Sequence, residues 1–168
     1  MEKYSDEIIE DKVCDEERAL YGKKKLEIRK CSFDGPQDGE SAIKECSDIL
    51  AENCYFNLRY PFWHDKNVKV RNSILKGEYL AWYCENVTFE NCRIIGTQPF
   101  CYCKGLRLIN CSMLDTDLCF EKSQVEATIT TPVVSIKNPY SGHIYVPAAG
   151  EIIVDDDKAK GEVVFTRD

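Results

Sequence analysis

The chain lacks any long apolar run. No stretch reaches the roughly 18 consecutive apolar residues that a membrane-spanning helix requires. Its acidic start, MEKYSDEIIEDK, also lacks the apolar segment that defines a secretory signal peptide. From these two absences we expect no contact with a membrane, and we expect a cytoplasmic location.

Clustered basic residues are scarce as well. Lysine and arginine total 22 against 29 acidic residues, which gives a formal net charge of −7. The only dense basic run, residues 23–25, is too short to follow a phosphate backbone, so we expect no nucleic-acid partner. No glycine-rich phosphate loop follows a strand pattern, which disfavours a nucleotide or flavin enzyme, and we expect no cofactor.

Cysteine is abundant, with ten residues, but the four-ligand spacing of a structural zinc site is absent, so we predict no metal site. Without a secretion signal, reduced thiols are expected rather than disulfides. Cys54, Cys92 and Cys111 share one position of an internal repeat that Ser73 also fills. Exchange with serine is typical of a small buried residue and not of a disulfide partner.

That internal repeat has a step of 19 residues and organises the middle of the chain. Its three clearest copies begin at Asn67, Asn86 and Gly105 and read NVKVRNSILKG, NVTFENCRIIG and GLRLINCSMLD. Each copy carries a second short apolar run, so each contains two short strands separated by turns. Stacked units of this length are typical of a β-solenoid. We predict an all-β fold, a right-handed parallel β-helix with coils of about 19 residues.

We expect a single β-helix domain over residues 1–168. It divides into an N-terminal cap or irregular coil (1–25), regular coils (26–124), and terminal coils with a cap (125–168). The step from Cys31 to Cys54 is 23 residues instead of 19, and a loop at residues 35–39 is expected to hold the additional ones. An acidic turn is expected at residues 155–157, with calcium binding there as the alternative.

The repeat places an asparagine directly before each small residue. Asn72, Asn91 and Asn110 are expected to adopt left-handed backbone angles at a bend, which asparagine tolerates better than most residues. Their amides can also bond to one another from coil to coil. We therefore predict a stabilising asparagine ladder along this edge of the solenoid.

Five long segments of the chain carry a family resemblance. They are EERALYG (16–22), CSFDGPQDGESAIKE (31–45), NLRYPFWH (57–64), GEYLAWY (77–83) and NVTFENCRIIGTQPFCYCKGL (86–106). These segments resemble a bacterial family of unknown function whose members look like pectate-lyase-type right-handed β-helices. The resemblance extends from about residue 13 to 165. It implies the fold and a cytoplasmic bacterial setting, but no established reaction. This chain is short beside such members, which favours a homo-oligomer.

Charged residues at neighbouring repeat positions form a candidate catalytic set. Arg59 and Glu78 share one repeat position, Asp117 is placed in the adjacent position two coils later, and His64 lies beyond them. Glycoside hydrolysis uses two placed carboxylates, and a lyase needs a basic proton acceptor. A carbohydrate-active enzyme, either a polysaccharide lyase or a glycoside hydrolase, is therefore our alternative hypothesis. A solvent-facing strip of salt bridges is the simpler interpretation.

Aromatic residues also recur one repeat apart. Trp63 and Trp82 share one position, which Phe120 is expected to continue, and the next position holds Tyr83, Tyr102 and His64. Because neighbours on a strand point in opposite directions, these rings either face solvent or belong to the core. If they face solvent, they form a platform for a glycan or a protein. We favour a non-catalytic scaffold that binds such a partner, or assembles with itself, through an aromatic face. The candidate platform residues are Trp63, Trp82, Tyr83 and Tyr102.

Overall fold

The computed structural model describes residues 7–35 and 41–166, and this part of the chain contains strands, turns and no helix. The strands are β1 (Glu7–Glu10), β2 (Lys24–Arg29), β3 (Ser32–Asp34), β4 (Ile43–Lys44), β5 (Ser47–Glu52), β6 (Tyr55–Asn57), β7 (Phe62–Trp63), β8 (Lys66–Arg71), β9 (Ile74–Lys76), β10 (Ala81–Trp82), β11 (Glu85–Glu90), β12 (Arg93–Ile95), β13 (Phe100–Cys101), β14 (Lys104–Leu114), β15 (Gln124–Ile129), β16 (Val133–Lys137), β17 (Ser141–Val146), β18 (Ala149–Ile153) and β19 (Glu162–Phe165).

Strands that lie about 19 residues apart stack in parallel, so the chain winds into a β-solenoid of about eight turns. The predicted all-β solenoid is therefore confirmed. Sheet 1 pairs, in order, β1, β2, β5, β8, β11, β14, β15, β17 and β19. Sheet 2 pairs β3, β6, β9, β12 and the end of β14. Sheet 3 pairs β4, β7, β10 and β13, and β16 pairs with β18 separately.

The interior consists of like side chains stacked from coil to coil. Phe33 lies parallel to Phe56 with ring centroids 4.7 Å apart, and both are fully buried. One coil alone could cover neither its apolar face nor its backbone polar groups. Stacking supplies both, because each strand's N–H and C=O groups bond to the coils on either side. Burial of this continuous apolar column is the main stabilising term.

Bends between sheets 1 and 2 contain the predicted asparagines. Asn53, Asn72, Asn91 and Asn110 all have φ between 51° and 55°, which confirms the left-handed backbone. Nδ2 of Asn110 donates to Oδ1 of Asn91 at 2.8 Å, so the expected ladder is present between these two coils.

A second ladder, which the sequence analysis did not anticipate, lies near the start of the sheet 1 strands. Nδ2 of Asn86 donates to Oδ1 of Asn67 at 2.8 Å, and Nδ2 of Asn67 donates to Oδ1 of Asp48 at 3.1 Å. All three residues have φ near 57°, with values of 58° for Asp48 and 56° for both asparagines. Short polar side chains therefore occupy two separate left-handed positions in the coils that begin at Asp48 and Asn67.

All ten cysteines are free, which confirms the prediction of reduced thiols. Those in the bends point inward, and their thiols donate to backbone carbonyls. Sγ of Cys111 donates to the carbonyl oxygen of Ile109, two residues earlier, at 3.6 Å, and Oγ of Ser73 donates in the same way to that of Arg71 at 2.8 Å. A thiol and a hydroxyl thus donate the same kind of hydrogen bond at this position, which explains why either residue can occupy it.

One coil contains an additional residue, and this shifts the predicted alignment. The N–H of Tyr79 donates to the carbonyl of Thr97, 18 residues later, whereas the N–H of Gln98 donates to that of Asp117, 19 residues later. Phe120 consequently faces inward, fully buried, with its ring stacked 5.7 Å from that of Phe100. The expectation that Phe120 continues the tryptophan position is therefore wrong.

The two ends of the solenoid contain the segments that we predicted as an N-terminal cap and as terminal coils with a cap. Residues predicted as an N-terminal cap include a strand, β1, that pairs with β2. The loop predicted at residues 35–39 falls mostly on residues 36–40, which lie outside the described residues. In the predicted acidic turn, Nδ2 of the buried Asn138 donates to Oδ1 of Asp155 at 2.7 Å, and Oδ1 of Asn138 accepts the N–H of Asp155 at 2.9 Å.

Candidate functional site: an aromatic face on sheet 3

The tryptophans of sheet 3 face outward. Phe62 and Ala81 are fully buried, and the residues that follow them, Trp63 and Trp82, are half-buried on the opposite side of their strands. Their rings belong to a continuous surface cluster that includes every predicted platform residue. We call this cluster the aromatic face; it consists of Tyr60, Trp63, His64, Tyr79, Trp82, Tyr83 and Tyr102.

Tyr60 and Tyr79 are members that the sequence analysis missed. Their rings stack 4.8 Å apart, and both residues have positive φ, at 54° and 55°, in the bend that leads into sheet 3. The signal in the sequence was their separation of one repeat. It was not recognised because a tyrosine in a bend does not follow the alternation of a strand.

A ring ladder runs along the outer side of the face. Tyr83 lies between His64, at 5.1 Å and 6°, and Tyr102, at 4.6 Å and 3°. Each centroid separation is close to the distance between neighbouring strands, so the register of the coils places the rings in contact. Because both faces of the Tyr83 ring are covered by neighbours, the ladder presents ring edges and polar tips to solvent.

The two tryptophans hold the ladder to the rest of the face. The ring of Trp82 meets Tyr79 edge-on at 4.9 Å, and its Nε1 donates to the carbonyl oxygen of Gln98 at 3.3 Å. The ring of Trp63 stacks on Tyr60 at 5.0 Å, and Nζ of Lys44 lies 4.5 Å from the Trp63 ring centroid. These contacts order the face before any partner is present.

Charged residues of opposite sign border the face at both ends. At one end, Lys44 precedes Glu45, whose carboxylate accepts a hydrogen bond from the hydroxyl of Tyr21. At the other end, Glu121 precedes Lys122, and Nζ of Lys122 lies 5.6 Å from the ring centroid of Tyr102. Glu121 also pairs with Lys137 at 3.3 Å.

A buried carboxyl group lies directly behind the face. Asp65 follows His64 and is fully buried in a column with Cys46 and Cys84. Its Oδ1 accepts the N–H of Cys46 at 2.8 Å, whereas its Oδ2 is buried without a hydrogen-bond partner. Burial raises the pKa of Asp65 well above its usual value. Sequence reasoning missed this group, although its position between Cys46 and Cys84 was visible in the repeat.

The candidate catalytic residues are distributed over several coils. Arg59 and Glu78 are exposed in the bend before sheet 3, and the exposed His64 belongs to the ring ladder. The additional residue places Asp117, half-buried, in the position of Glu78 and Thr97 rather than in the adjacent position that was expected. The coil of Thr97 lies between Glu78 and Asp117, so their backbones are about 10 Å apart, two strand spacings.

Open depressions also lie along the asparagine bend and beside one charged end of the aromatic face. A groove of about 490 Å³ follows the asparagine bend and is lined by Asn72, Ser73, Ile74, Asn91, Cys92, Arg93, Asn110, Ser112 and Thr130. A second, of about 370 Å³, lies over the acidic turn and is lined by Glu121, Lys122, Lys137, Asn138 and residues 155–157.

Residues 7–35 and 41–166 contain no group of three or more histidine, cysteine, aspartate or glutamate side chains placed to hold a metal ion. The same ranges include no helix with the length and apolar character to cross a bilayer.

Comparison with known families gives a match over most of the chain. A family described as "Protein of unknown function (DUF3737)" matches residues 7–71 and 62–165, which together span nearly the whole chain. No curated protein and no solved structure matches the chain.

Proposed function

Because the chain belongs to the DUF3737 family, whose function is unknown, we propose its role from its own surface: it is a non-catalytic β-solenoid scaffold that binds a protein partner through the aromatic face. The observation that supports this role most directly is the ring ladder of His64, Tyr83 and Tyr102, stacked at 4.6–5.1 Å on the outside of the solenoid. Aromatic side chains on the outside of the solenoid do not contribute to the core, and a surface that contacts only water does not require them.

The geometry of the ladder favours a protein over a glycan. Sugar rings bind aromatic side chains by lying flat on an uncovered ring face. Tyr83 offers neither face, because His64 and Tyr102 cover both. One face of the Trp63 ring is also covered, because Nζ of Lys44 lies over it at 4.5 Å from the ring centroid. Ring edges with tyrosine hydroxyl groups remain, and these suit the mixed apolar and hydrogen-bonding contacts of a protein interface.

The face is also ordered before it binds. Tyrosine and tryptophan provide a large contact area with few rotatable bonds, which limits the entropy lost on association. Here the rings are fixed further by stacking and by the hydrogen bond from Trp82 to the backbone of Gln98. Such residues are enriched among those that contribute most to binding energy.

A pair of matched tyrosine variants tests the proposal. Tyr83→Ser removes the centre of the ladder, and Tyr145→Ser removes a tyrosine of similar exposure on sheet 1, 38% against 43% for Tyr83. Partners captured from an extract of the native host by the wild-type protein should be retained by Tyr145→Ser and lost by Tyr83→Ser. Each variant is first shown to be folded by circular dichroism. Equal retention by both variants would falsify the proposal.

A glycan array run in parallel tests the sugar-binding version of the same face. We expect no signal for the wild-type protein. A glycan signal that Trp63→Ala and Trp82→Ala abolish would replace the protein partner by a polysaccharide. Turnover of a polysaccharide that depends on Glu78 and Asp117 would instead support the enzymatic alternative.

The proposal keeps a bacterial, cytoplasmic setting and a right-handed winding of the pectate-lyase type. These come from the family resemblance of the quoted segments. A cytoplasmic scaffold is consistent with the ten free thiols, since reducing compartments keep cysteine unpaired.

A further inference from the structure

We propose that the partner bound by the aromatic face is a second copy of this chain, docked face to face with its solenoid axis antiparallel to that of the first. This inference rests on the proposed function, because it names the occupant of the same face. It is carried by the order of charged and aromatic residues along two neighbouring positions of sheet 3.

The first of these positions runs along the stacked strands and changes sign from end to end. Backbone pairing places Lys44, Trp63, Trp82, Cys101 and Glu121 above one another in successive coils. The position therefore begins with a cation and has Trp82 at its centre. It ends with an anion, Glu121, which also pairs with Lys137 within the chain at 3.3 Å. Two coils lie on either side of Trp82.

The second position changes sign in the opposite sense. It holds Glu45, His64, Tyr83, Tyr102 and Lys122, whose N–H groups follow the pairing of the first position. It begins with an anion and ends with a cation, and Tyr83 is at its centre. Along the same five coils, the first position therefore runs from positive to negative and the second from negative to positive.

A two-fold axis that lies on the outer surface of the central coil, parallel to its strand, makes these charges meet their opposites. Rotation about that axis reverses the order of the coils and keeps each position opposite itself. Lys44 then faces Glu121 of the second copy, and Glu45 faces Lys122 of the second copy. Trp82 and Tyr83 meet their own equivalents at the centre. The same contacts occur twice, as an isologous interface requires.

The size of the face sets the strength of this pairing. Five coils at the usual strand spacing make the face about 19 Å long, which is short for a stable interface of standard size. We therefore infer a reversible dimer, whose charged ends fix its orientation and its aromatic centre supplies most of its affinity. Because the end charges are partly exposed to solvent, added salt should weaken the dimer.

Charge reversal tests the orientation directly. Lys44→Glu and Glu121→Lys each place like charges opposite one another at both ends of the antiparallel dimer. Combined in one chain, they restore opposite charges with the signs exchanged. We expect each single variant to weaken dimerisation by about tenfold or more, as like charges at an interface do, and the double variant to regain affinity close to that of the wild type. Analytical ultracentrifugation over a concentration series measures this.

A parallel arrangement of the two copies predicts a different result. In that case Lys44 would face Glu45 of the second copy, so the double variant would dimerise no better than either single variant, and the antiparallel proposal would be overturned. Lys104→Glu, an exposed reversal on sheet 1, is the matched control and should leave the affinity unchanged. Thermal unfolding of every variant shows that the fold is intact.

The same measurements separate this inference from the proposed function. A wild-type protein that stays monomeric at all concentrations overturns the self-pairing, while the capture experiment with Tyr83→Ser and Tyr145→Ser still decides whether the face binds another protein. A dimer that Tyr83→Ser leaves intact overturns the self-pairing as well, since the contact must then lie on another surface. A dimer that Tyr83→Ser dissociates and Tyr145→Ser does not supports both.

Discussion

The backbone N–H of Cys46 donates to Oδ1 of Asp65 at 2.8 Å, while Oδ2 of the same carboxyl group is buried without a partner. The other members of this column carry a group that donates to a backbone carbonyl oxygen. Sγ of Cys84 donates to Phe62 at 3.2 Å, and Oγ of Ser123 donates to Glu121 at 3.2 Å. The column thus suits a donor, and burial raises the pKa of Asp65 so that the protonated, neutral acid is favoured.

Replacement of this acid should stabilise the protein at neutral pH. Because the folded-state pKa of Asp65 is raised, the folded chain retains a proton that the unfolded chain releases. The free energy of unfolding therefore falls as the pH rises above the usual value of about 3.9, until the folded-state pKa is reached. We expect Asp65→Ser to remove this slope and to raise the stability at pH 7 by about 1–3 kcal/mol, the cost of an unsatisfied buried polar group. Urea unfolding between pH 4 and 8 measures both effects.

The reciprocal variant is the control. Ser73 occupies the equivalent position in the other thiol column, where its Oγ accepts the N–H of Cys54 at 3.1 Å. Ser73→Asp should introduce the same falling slope that Asp65→Ser removes. A wild-type protein whose stability is flat across this range would show that Asp65 is not protonated in the folded state.

Close contact between coils makes Gly96 irreplaceable. A Cβ at Gly96 would lie 1.7 Å from the carbonyl oxygen of Gly77 in the preceding coil, at a φ of 134°. Neither backbone can move without breaking the stack, so we expect Gly96→Ala to lower the free energy of unfolding by at least about 2 kcal/mol. Chemical denaturation measures the loss.

Gly105 provides the comparison. It also has positive φ, at 66°, but an added Cβ would come no nearer than 3.5 Å to another atom. Gly105→Ala should cost only about 1 kcal/mol, which reflects the left-handed backbone alone. Equal losses for the two variants would mean that backbone angle, and not contact between coils, sets the cost at Gly96.

Thiol reactivity should reveal one exceptional cysteine. Burial raises the pKa of Cys46 to about 12 and that of Cys54 to about 11, so these thiols are neither ionised nor accessible at pH 8. Cys14 is half-buried and the other nine cysteines are buried. We expect a thiol reagent such as dithionitrobenzoate to modify one cysteine rapidly and nine only after unfolding. Cys14→Ser should abolish the rapid phase and Cys92→Ser should leave it. A rapid phase of several thiols would contradict the closed interior.

Like Asp65, a histidine on sheet 1 should make the free energy of unfolding fall slightly as the pH rises, but in a higher pH range. Nδ1 of His143 lies 3.0 Å from Oε1 of Glu126, and this hydrogen bond, together with the more distant Glu162, raises the pKa of His143 above its usual value. The stabilisation is fully present below the unfolded-state pKa of about 6.5 and is lost as the pH rises through the folded-state value.

Titration of the His143 ring by NMR measures this directly. Glu126→Gln should lower its pKa towards the unfolded value. Glu162→Gln should lower it less, because Glu162 lies 3.7 Å from Nε2 and makes no hydrogen bond to the ring. The chain has two histidines, so His143→Asn identifies the signal. An unchanged pKa in Glu126→Gln would show that the pair does not form in solution.

The fold could be predicted from the sequence because the repeat is regular in the middle of the chain. Ser73, Cys92 and Cys111 recur at 19 residues, and the coils do stack at that step. The later strands were also visible as short runs of apolar residues. The sequence did not show which residues of the coil after Thr97 face inward, because Leu118, Cys119 and Phe120 are all apolar and any of them could be buried. Only the backbone pairing of Gln98 with Asp117 reveals the additional residue.

The site was predicted in part for a related reason. Alternation along a strand placed Trp63 and Trp82 on the same side of their strands but left open whether that side faces solvent or the core. Alternation also says nothing about bends, where Tyr60 and Tyr79 lie. Nor could it distinguish an exposed acid from Asp65, which looks like any other aspartate until its neighbours in adjacent coils are known. Properties that depend on stacking between coils are lost when the chain is read along one coil at a time.

The additional residue in the coil of Asp117 has a consequence for how this protein can vary. Upstream of it, inserting or deleting a whole 19-residue module would lengthen or shorten the row of rings and leave every remaining side chain on its own side of the wall. Insertion of one residue instead shifts the alignment of the next coil, so that a residue expected on the outside, such as Phe120, becomes buried. The length of the aromatic face can therefore change only by whole 19-residue coils, and a single inserted residue sets where the face ends.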